Sequence, residues 1–480
     1  MGCEDAGLDR AGYVRTFAVG VLSMMAFMMF NGTLNLAYDG IFDWSRDVST
    51  GTSIVYALVT MVAARRRPGI FRPRAISWAV CLLSAAGSAL CAAGVVLGSA
   101  PAIVAGVVLV GPADIWGIIV WMLCLARLSR RDACLLIATS GLVGIPLSFL
   151  IDETGSYWLA SAVSLLSVVA IVALCLPLTR GFFARLAQVP PLAEQRISRP
   201  GAHLPLAHTF YVYIFVFSVA YGFALRCEND SGPVVSTLAS VVASAAVSVY
   251  AWRAREATRV DCLHVSALLI VAVGFMLVLM NDPRVSQLAS ALLMMGYMCF
   301  QILVWLALSS AAQRNTAEAI PTICWGSAVC YAGIVVGVAL YLVPNDFLAP
   351  LLGGDSLLQD LLIVAVLAGL VLFSVLTRRG FVFDSAIAGI EPDASAPQVE
   401  VRYIDELNDR CDRAVARWAL TAREASVMAL LARGNASSRI QEELGISYNT
   451  VKYHVKNVYA KLGVHSQQEL IDLICGMREE

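Results

Sequence analysis

SYNTVKYHVKNVYAKL, residues 447–462, holds the only three lysines of a 480-residue chain: Lys452, Lys456 and Lys461. No acidic residue occurs between Leu444 and Gln468. At helical spacing Val451, Val455, Val458 and Leu462 share one side, and Asn449, Lys452, Tyr453 and Lys456 share the other. An apolar back with a basic, amide- and aromatic-bearing front suits a helix that enters a DNA major groove. The expected partner of this stretch is therefore double-stranded DNA.

The flanks turn that helix into a domain. Thr421 and Glu424 have the spacing of a capping box and open a first helix that runs to Arg433, before Gly434. A second spans about 437–444, with Ile440 and Leu444 inward. Gly445, Ile446 and Ser447 make a tight turn, and Ser447 caps the third helix, which ends at Leu462 before Gly463. Ser466 and Glu469 cap a fourth that buries Leu470, Leu473 and Ile474. Helices two and three form a helix-turn-helix.

These residues resemble a LuxR-type (GerE-like) helix-turn-helix domain over 418–475. The resemblance rests on Leu420-Thr421, Arg423-Glu424, Leu430-Leu431-Ala432, Gly434, Ile440, Leu444, Gly445-Ile446-Ser447, Thr450-Val451-Lys452, His454, Lys461-Leu462-Gly463-Val464, Ser466 and Glu469. It departs at Ala422, where proline is frequent, at Gln441, where alanine is usual, and at Gln467, where arginine is frequent. Chemistry assigns roles within it. Lys452 and Lys456 reach phosphate or a guanine edge, and Asn449 and Tyr453 are candidates for base or sugar contacts. Thr450, at the first turn, suits a phosphate oxygen, and Lys461 meets phosphate at the far end. His454 is read either as packing or as a phosphate contact. The resemblance implies that the fourth helix dimerises the domain, which makes Leu473 and Ile474 candidates for a homodimer contact.

The preceding residues are of another kind. The chain is 59% hydrophobic and 14% charged, with mean hydropathy +0.73, against roughly 25% charged residues in a soluble domain. Twelve apolar runs are long enough to cross a bilayer, near 14–36, 48–64, 75–97, 101–125, 133–151, 157–178, 206–225, 233–252, 262–280, 287–310, 320–343 and 357–377. The first is read as a retained span rather than a signal peptide. Met1-Gly2-Cys3 lacks the pattern for lipidation, since position 6 is Ala6. Up to Arg379, the N-terminal segment and the connections after even-numbered runs hold 20 arginines, against 3 after odd-numbered runs. That bias predicts that both termini are in the cytoplasm, and the LuxR-type resemblance implies a bacterial cell and hence its cytoplasmic membrane.

The connection 179–205 divides the runs six and six. IVWMLCLARLSRRDA (119–133) aligns with LVWLALSSAAQRNTA (303–317), matching Val120 to Val304, Trp121 to Trp305 and Arg130 to Arg314. In span count and layout this region resembles the major facilitator superfamily. It departs at RRRPGIFRPR (65–74), which is basic with no acid where that family carries a Gly- and Asp-containing motif. The expected fold is all-α: a polytopic membrane bundle of about twelve helices over 1–378 with halves at about 1–178 and 206–377, a linker with an amphipathic helix at 379–415, and a cytoplasmic four-helix domain at 416–480.

One acid falls deep in a span, Asp114, and an intramembrane carboxylate is a functional hypothesis by default. Pro112 beside it is expected to break the helix and free backbone groups toward a cavity. Asp114 and Trp116 are the candidate ligand contacts, with Gln301 as a weaker counterpart. The alternative is a carboxyl paired with a polar neighbour such as Asn31 or Asn35. The thirteen cysteines are scattered without a C-x-x-C pair, so no metal site or disulfide framework is indicated. Met24, Met25, Met28 and Met29 read as packing. No residue set suggests catalysis or a cofactor. The function expected is a membrane-bound transcription regulator that senses a small molecule. The alternative is a transporter with a regulatory DNA-binding tail.

Overall fold

The structure is a computed structural model. It describes residues 10–29, 38, 40–42, 44–189, 209–227, 233–253, 260–280, 282–343 and 361–370, then 411, 414–415, 417–432, 440–441, 447–467, 469–470 and 473. All regular elements among them are helices. The chain divides into two compact units, Met1–Ala394 and Ser395–Glu480.

The first unit contains α1 (Arg10–Met29), α2 (Ser45–Arg66), α3 (Pro73–Leu97), α4 (Ala100–Leu125), α5 (Arg130–Asp152), α6 (Tyr157–Leu186), α7 (Thr209–Cys227), α8 (Pro233–Arg253), α9 (Val260–Val278), α10 (Pro283–Arg314), α11 (Thr316–Leu342) and α12 (Leu361–Leu370). Their positions follow the twelve apolar runs. Seven of the described helices are long and apolar enough to cross a membrane, and α2 to α6, α10 and α11 supply them. Trp78, Leu82, Leu97, Trp158 and Trp252 are at least 60% exposed on the outside of this unit. Large apolar groups facing outward are what a bilayer requires and what water penalises.

The packing repeats with a shift of six helices. α1 packs on α5 as α7 packs on α11, α3 on α4 as α9 on α10, and α2 on α4 as α8 on α10. The halves meet along α2 with α11 and along α5 with α8, which the same shift interchanges. Close approach comes from small residues. A Cβ on Gly87 of α3 would stand 2.7 Å from the Gly106 carbonyl of α4, and one on Gly333 of α11 would stand 2.7 Å from the Phe215 carbonyl of α7.

Among the described residues, polar contacts at the helix ends tie the halves. At one end Arg65, closing α2, donates to Glu318 in the first turn of α11 at 3.1 Å. At that same end Arg131 of α5 donates to the Ala251 and Trp252 carbonyls that close α8, at 3.2 and 2.8 Å. At the other end Arg226, closing α7, reaches Asp47 in the first turn of α2 at 2.7 Å. The Arg65–Glu318 and Arg131 contacts fall at the arginine-rich helix ends.

Pro112 does not break its helix: α4 runs unbroken from Ala100 to Leu125. Pro146, Pro177 and Pro321 likewise lie inside helices. In a packed membrane helix the amide that proline lacks costs little when neighbouring groups satisfy the freed carbonyl. Asn31 and Asn35 lie outside the described residues.

The second unit is built from α13 (Ala422–Ala432) and α14 (Tyr448–Leu462), with Ile440 between them and Leu470 after. Ala414, Val427, Met428, Ile440, Val451, Val458 and Leu470 are fully buried in one core, and Trp418 and Leu473 pack against it. The capping box closes as its spacing predicts: the Thr421 amide donates to Glu424 Oε2 at 2.9 Å, and the Glu424 amide to Thr421 Oγ1 at 3.4 Å. Ser447 accepts the Thr450 amide at 3.2 Å. Gly463 ends α14 at φ +71°, a left-handed conformation that glycine adopts without a steric penalty. The Gly445-Ile446 turn, Ile474 and most of 379–415 lie outside the described residues.

Candidate nucleic-acid interface and membrane cavity

α14 is positioned from both ends. Ser447 sets its start and Gly463 its stop, while Val451, Val458 and Leu462 fix its back in the core. That rotation turns Asn449, Lys452, Tyr453 and Lys456 outward, and all four are exposed. From Asn449 to Lys456 is a rise of seven residues, about 10 Å along the axis, which fits a major groove about 12 Å wide. Tyr448, 54% exposed at the mouth of the same helix, belongs to this surface. Sequence reading passed over it, although the pair Tyr448-Asn449 directly after the cap was a usable signal. Thr450 is partly buried and its hydroxyl shares a 2.8 Å hydrogen bond with Ser447 Oγ, so it belongs to the cap. His454 is half-buried, with its Nδ1 enclosed and its ring edge-on to Tyr453.

Lys461 corrects an expectation. Nine residues after Lys452, it is turned about 180° from it around the helix. Its ammonium reaches inward to Glu424 Oε2 at 2.7 Å and to the Ala419 carbonyl at 3.3 Å. It ties the end of α14 to the start of α13 rather than standing free for phosphate. The ammonium, with the Thr421 amide, holds the Glu424 carboxyl down at about 2. Ala419 has φ +47°, and the Lys461 bond helps to hold that strained turn. Gln467, in place of a frequent arginine, donates to the Leu431 carbonyl at 3.0 Å, at the end of α13.

These geometries correspond to a known module. Residues 419–474 match the model of the bacterial regulatory proteins of the luxR family. Residues 419–474 are a LuxR-type helix-turn-helix domain. Over 54 residues the chain is 50% identical to the probable transcriptional regulatory protein SgaR of Hyphomicrobium methylovorum, covering 11% of this chain and 26% of that protein. Over 53 residues it is 43% identical to the Fimbriae Z protein of Salmonella typhimurium, covering 11% and 25%. The chain thus spans about a quarter of the length of these curated relatives, and the LuxR-type likeness stops at the domain.

The membrane unit matches other proteins. The human organic anion transporter MFSD10 superposes with a TM-score of 0.53 at 13% identity, covering 78% of this chain and all of that one. A bacterial homologue of the iron transporter ferroportin gives 0.51 at 11%, covering 78% and 99%. The proton:xylose symporter XylE, of the major facilitator superfamily, gives 0.51 at 13%, covering 77% and 95%. At these identities the likeness is one of fold: a major-facilitator-like bundle precedes the LuxR-type domain.

Between the halves of that bundle lies a cavity of about 210 Å³. Asp114 opens onto it from the middle of α4, and Gln301 of α10 lines it too. Asp114 Oδ2 accepts from Tyr331 Oη of α11 at 2.8 Å and from Ser53 Oγ of α2 at 3.0 Å. Neither partner was visible in the sequence, being 217 and 61 residues away. Trp116 is not in the lining. Two residues from Asp114, it points about 200° around the helix, where its Nε1 donates to Ser77 at 3.0 Å and its ring packs on Phe183. Trp121, seven residues on from Asp114, does line the cavity. It meets Trp305, its match in the internal repeat, edge to face at 5.2 Å.

Proposed function

We propose that the chain is a membrane-bound transcription regulator of bacteria, whose LuxR-type domain binds double-stranded DNA and whose helical bundle receives a small-molecule signal. The observation that carries this reading is the free, exposed face of Asn449, Lys452, Tyr453 and Lys456 on a helix whose caps and core are complete without DNA. Asn449 and Tyr453 contact bases or sugar, the two lysines meet phosphate or a guanine edge, and Thr450 and His454 support the first turn against the backbone. Lys461 acts from behind by holding the domain together.

The protein sits in the cytoplasmic membrane with both termini in the cytoplasm, where the arginine-rich ends of the helices lie. Two copies bind two half-sites through a homodimer that includes the region after Ser466. The signal enters through the cavity, and a ligand that prefers one arrangement of the halves shifts the population that presents its domains to DNA. No catalytic step and no cofactor enters this account. The test is binding of the full chain, reconstituted in lipid nanodiscs, to fragments of its own genome. Selective retention of particular fragments, lost in Lys452→Ala/Lys456→Ala, is expected; retention unaffected by that change would sink the reading.

A second reading has its own observation, a cavity holding Asp114 between two transporter-like halves. On it the bundle carries substrate and the LuxR-type domain is a regulatory tail. Accumulation of a compound in vesicles, abolished by Asp114→Asn, would favour that reading.

A further inference from the structure

We propose that the cavity between the halves takes a small organic cation, a protonated amine on an apolar body, with Asp114 as its counter-ion. This rests on the reading that the bundle receives a small molecule, and names its class.

The carboxylate is half-used. Both hydroxyl donors, Tyr331 and Ser53, converge on Oδ2, and among the described residues Asp114 has no cation at ion-pair distance. Its side chain is exposed, yet it stands mid-span, so what it is exposed to is the cavity. A carboxyl in such a place either holds a proton or pairs with a cation, and a cationic ligand is the partner that keeps it ionised. The one arginine in the lining, Arg46, stands seven residues before Ser53 on α2, about 10 Å away along the axis.

The remaining wall suits the rest of such a ligand. Trp121, Trp305, Tyr297 and Tyr331 bring aromatic groups to the lining, and aromatic faces attract ammonium groups. Trp121 of α4 and Gln301 of α10 line the cavity from opposite halves, so an occupant touches both. Trp121 Nε1 and Gln301 Oε1 are themselves enclosed and, among the described residues, without a hydrogen-bond partner. Buried polar atoms in folded proteins nearly always have partners, and a rotation of either side chain toward the cavity would give the ligand body a donor or an acceptor.

The test uses the purified full chain in nanodiscs and three probes of similar shape: 2-phenylethylamine, 2-phenylethanol and 3-phenylpropionate. Binding is read by tryptophan emission and by the thermal shift of the bundle. The amine is expected to bind saturably, and the alcohol and the carboxylate at least about thirtyfold more weakly, as is usual when one member of a buried charge pair is lost. Asp114→Asn, checked for a monodisperse profile, should weaken the amine by a similar factor, and Tyr331→Phe should weaken it less. Equal binding of the neutral or anionic probe, full amine affinity in Asp114→Asn, or no amine binding would each overturn the proposal. Amine binding without any change in DNA binding would leave it standing and refute the sensor reading instead.

Discussion

Replacing Lys452 by alanine should change how DNA binding responds to salt by an amount that the domain itself sets. Two ammonium groups stand on the exposed face of α14, Lys452 and Lys456, one turn apart. The third lysine is held by Glu424 and Ala419. Each phosphate neutralised contributes about 0.9 to the slope of log affinity against log salt. Lys452→Ala should therefore flatten that slope by about 0.9 per bound domain, and Lys452→Ala/Lys456→Ala by about 1.8. Between about 50 and 200 mM salt, wild type then loses roughly twelvefold more affinity per domain than the double variant. Lys461→Met should leave the slope alone and lower the melting temperature. The assay is fluorescence anisotropy of the Ser395–Glu480 unit on a labelled duplex, titrated at several salt concentrations. A Lys452→Ala variant with both slope and affinity unchanged would refute the assignment of this face, as would a slope change in Lys461→Met equal to that of Lys452→Ala.

Other outcomes follow from the same contacts. The Glu424 carboxyl is held at about 2 against an ordinary 4.5, so it stabilises the folded domain above pH 4.5 and loses that contribution as pH falls toward 2. Acid titration of the Ser395–Glu480 unit by circular dichroism should show this loss, and Glu424→Gln should abolish it. Ser447→Ala removes the cap of α14 and should cost about 1 kcal/mol in urea unfolding of the same unit. Arg65→Ala removes the ion pair to Glu318, which is 4% exposed in its side chain. It should lower the bundle's melting temperature, and adding Glu318→Ala should restore most of the loss.

The parts of the fold that follow local rules were legible in the sequence. Period and caps located α14 and its faces, because Ser447, Gly463 and the valine stripe act within a few residues. The internal repeat pointed to Trp121 and Trp305, which meet at the cavity. What escaped was set by distant chain. The fates of Lys461 and Asp114 were decided by Glu424, Tyr331 and Ser53, which no local pattern connects to them. Trp116 was misjudged for a simpler reason: adjacency in sequence was taken as adjacency in space, whereas two residues of helix reverse the direction of a side chain. Pro112 suggests a broken helix opening backbone groups to a cavity, and the packed bundle instead keeps α4 continuous through it.

The account's central claim is that a LuxR-type domain tethered to a membrane bundle reads DNA through the outer face of α14. Genome-wide mapping of DNA bound by the full chain in living cells tests it most directly. Discrete enriched sites, lost in Lys452→Ala/Lys456→Ala while the protein remains in the membrane fraction, are the predicted result. A profile that is the same for wild type and the double variant would contradict it.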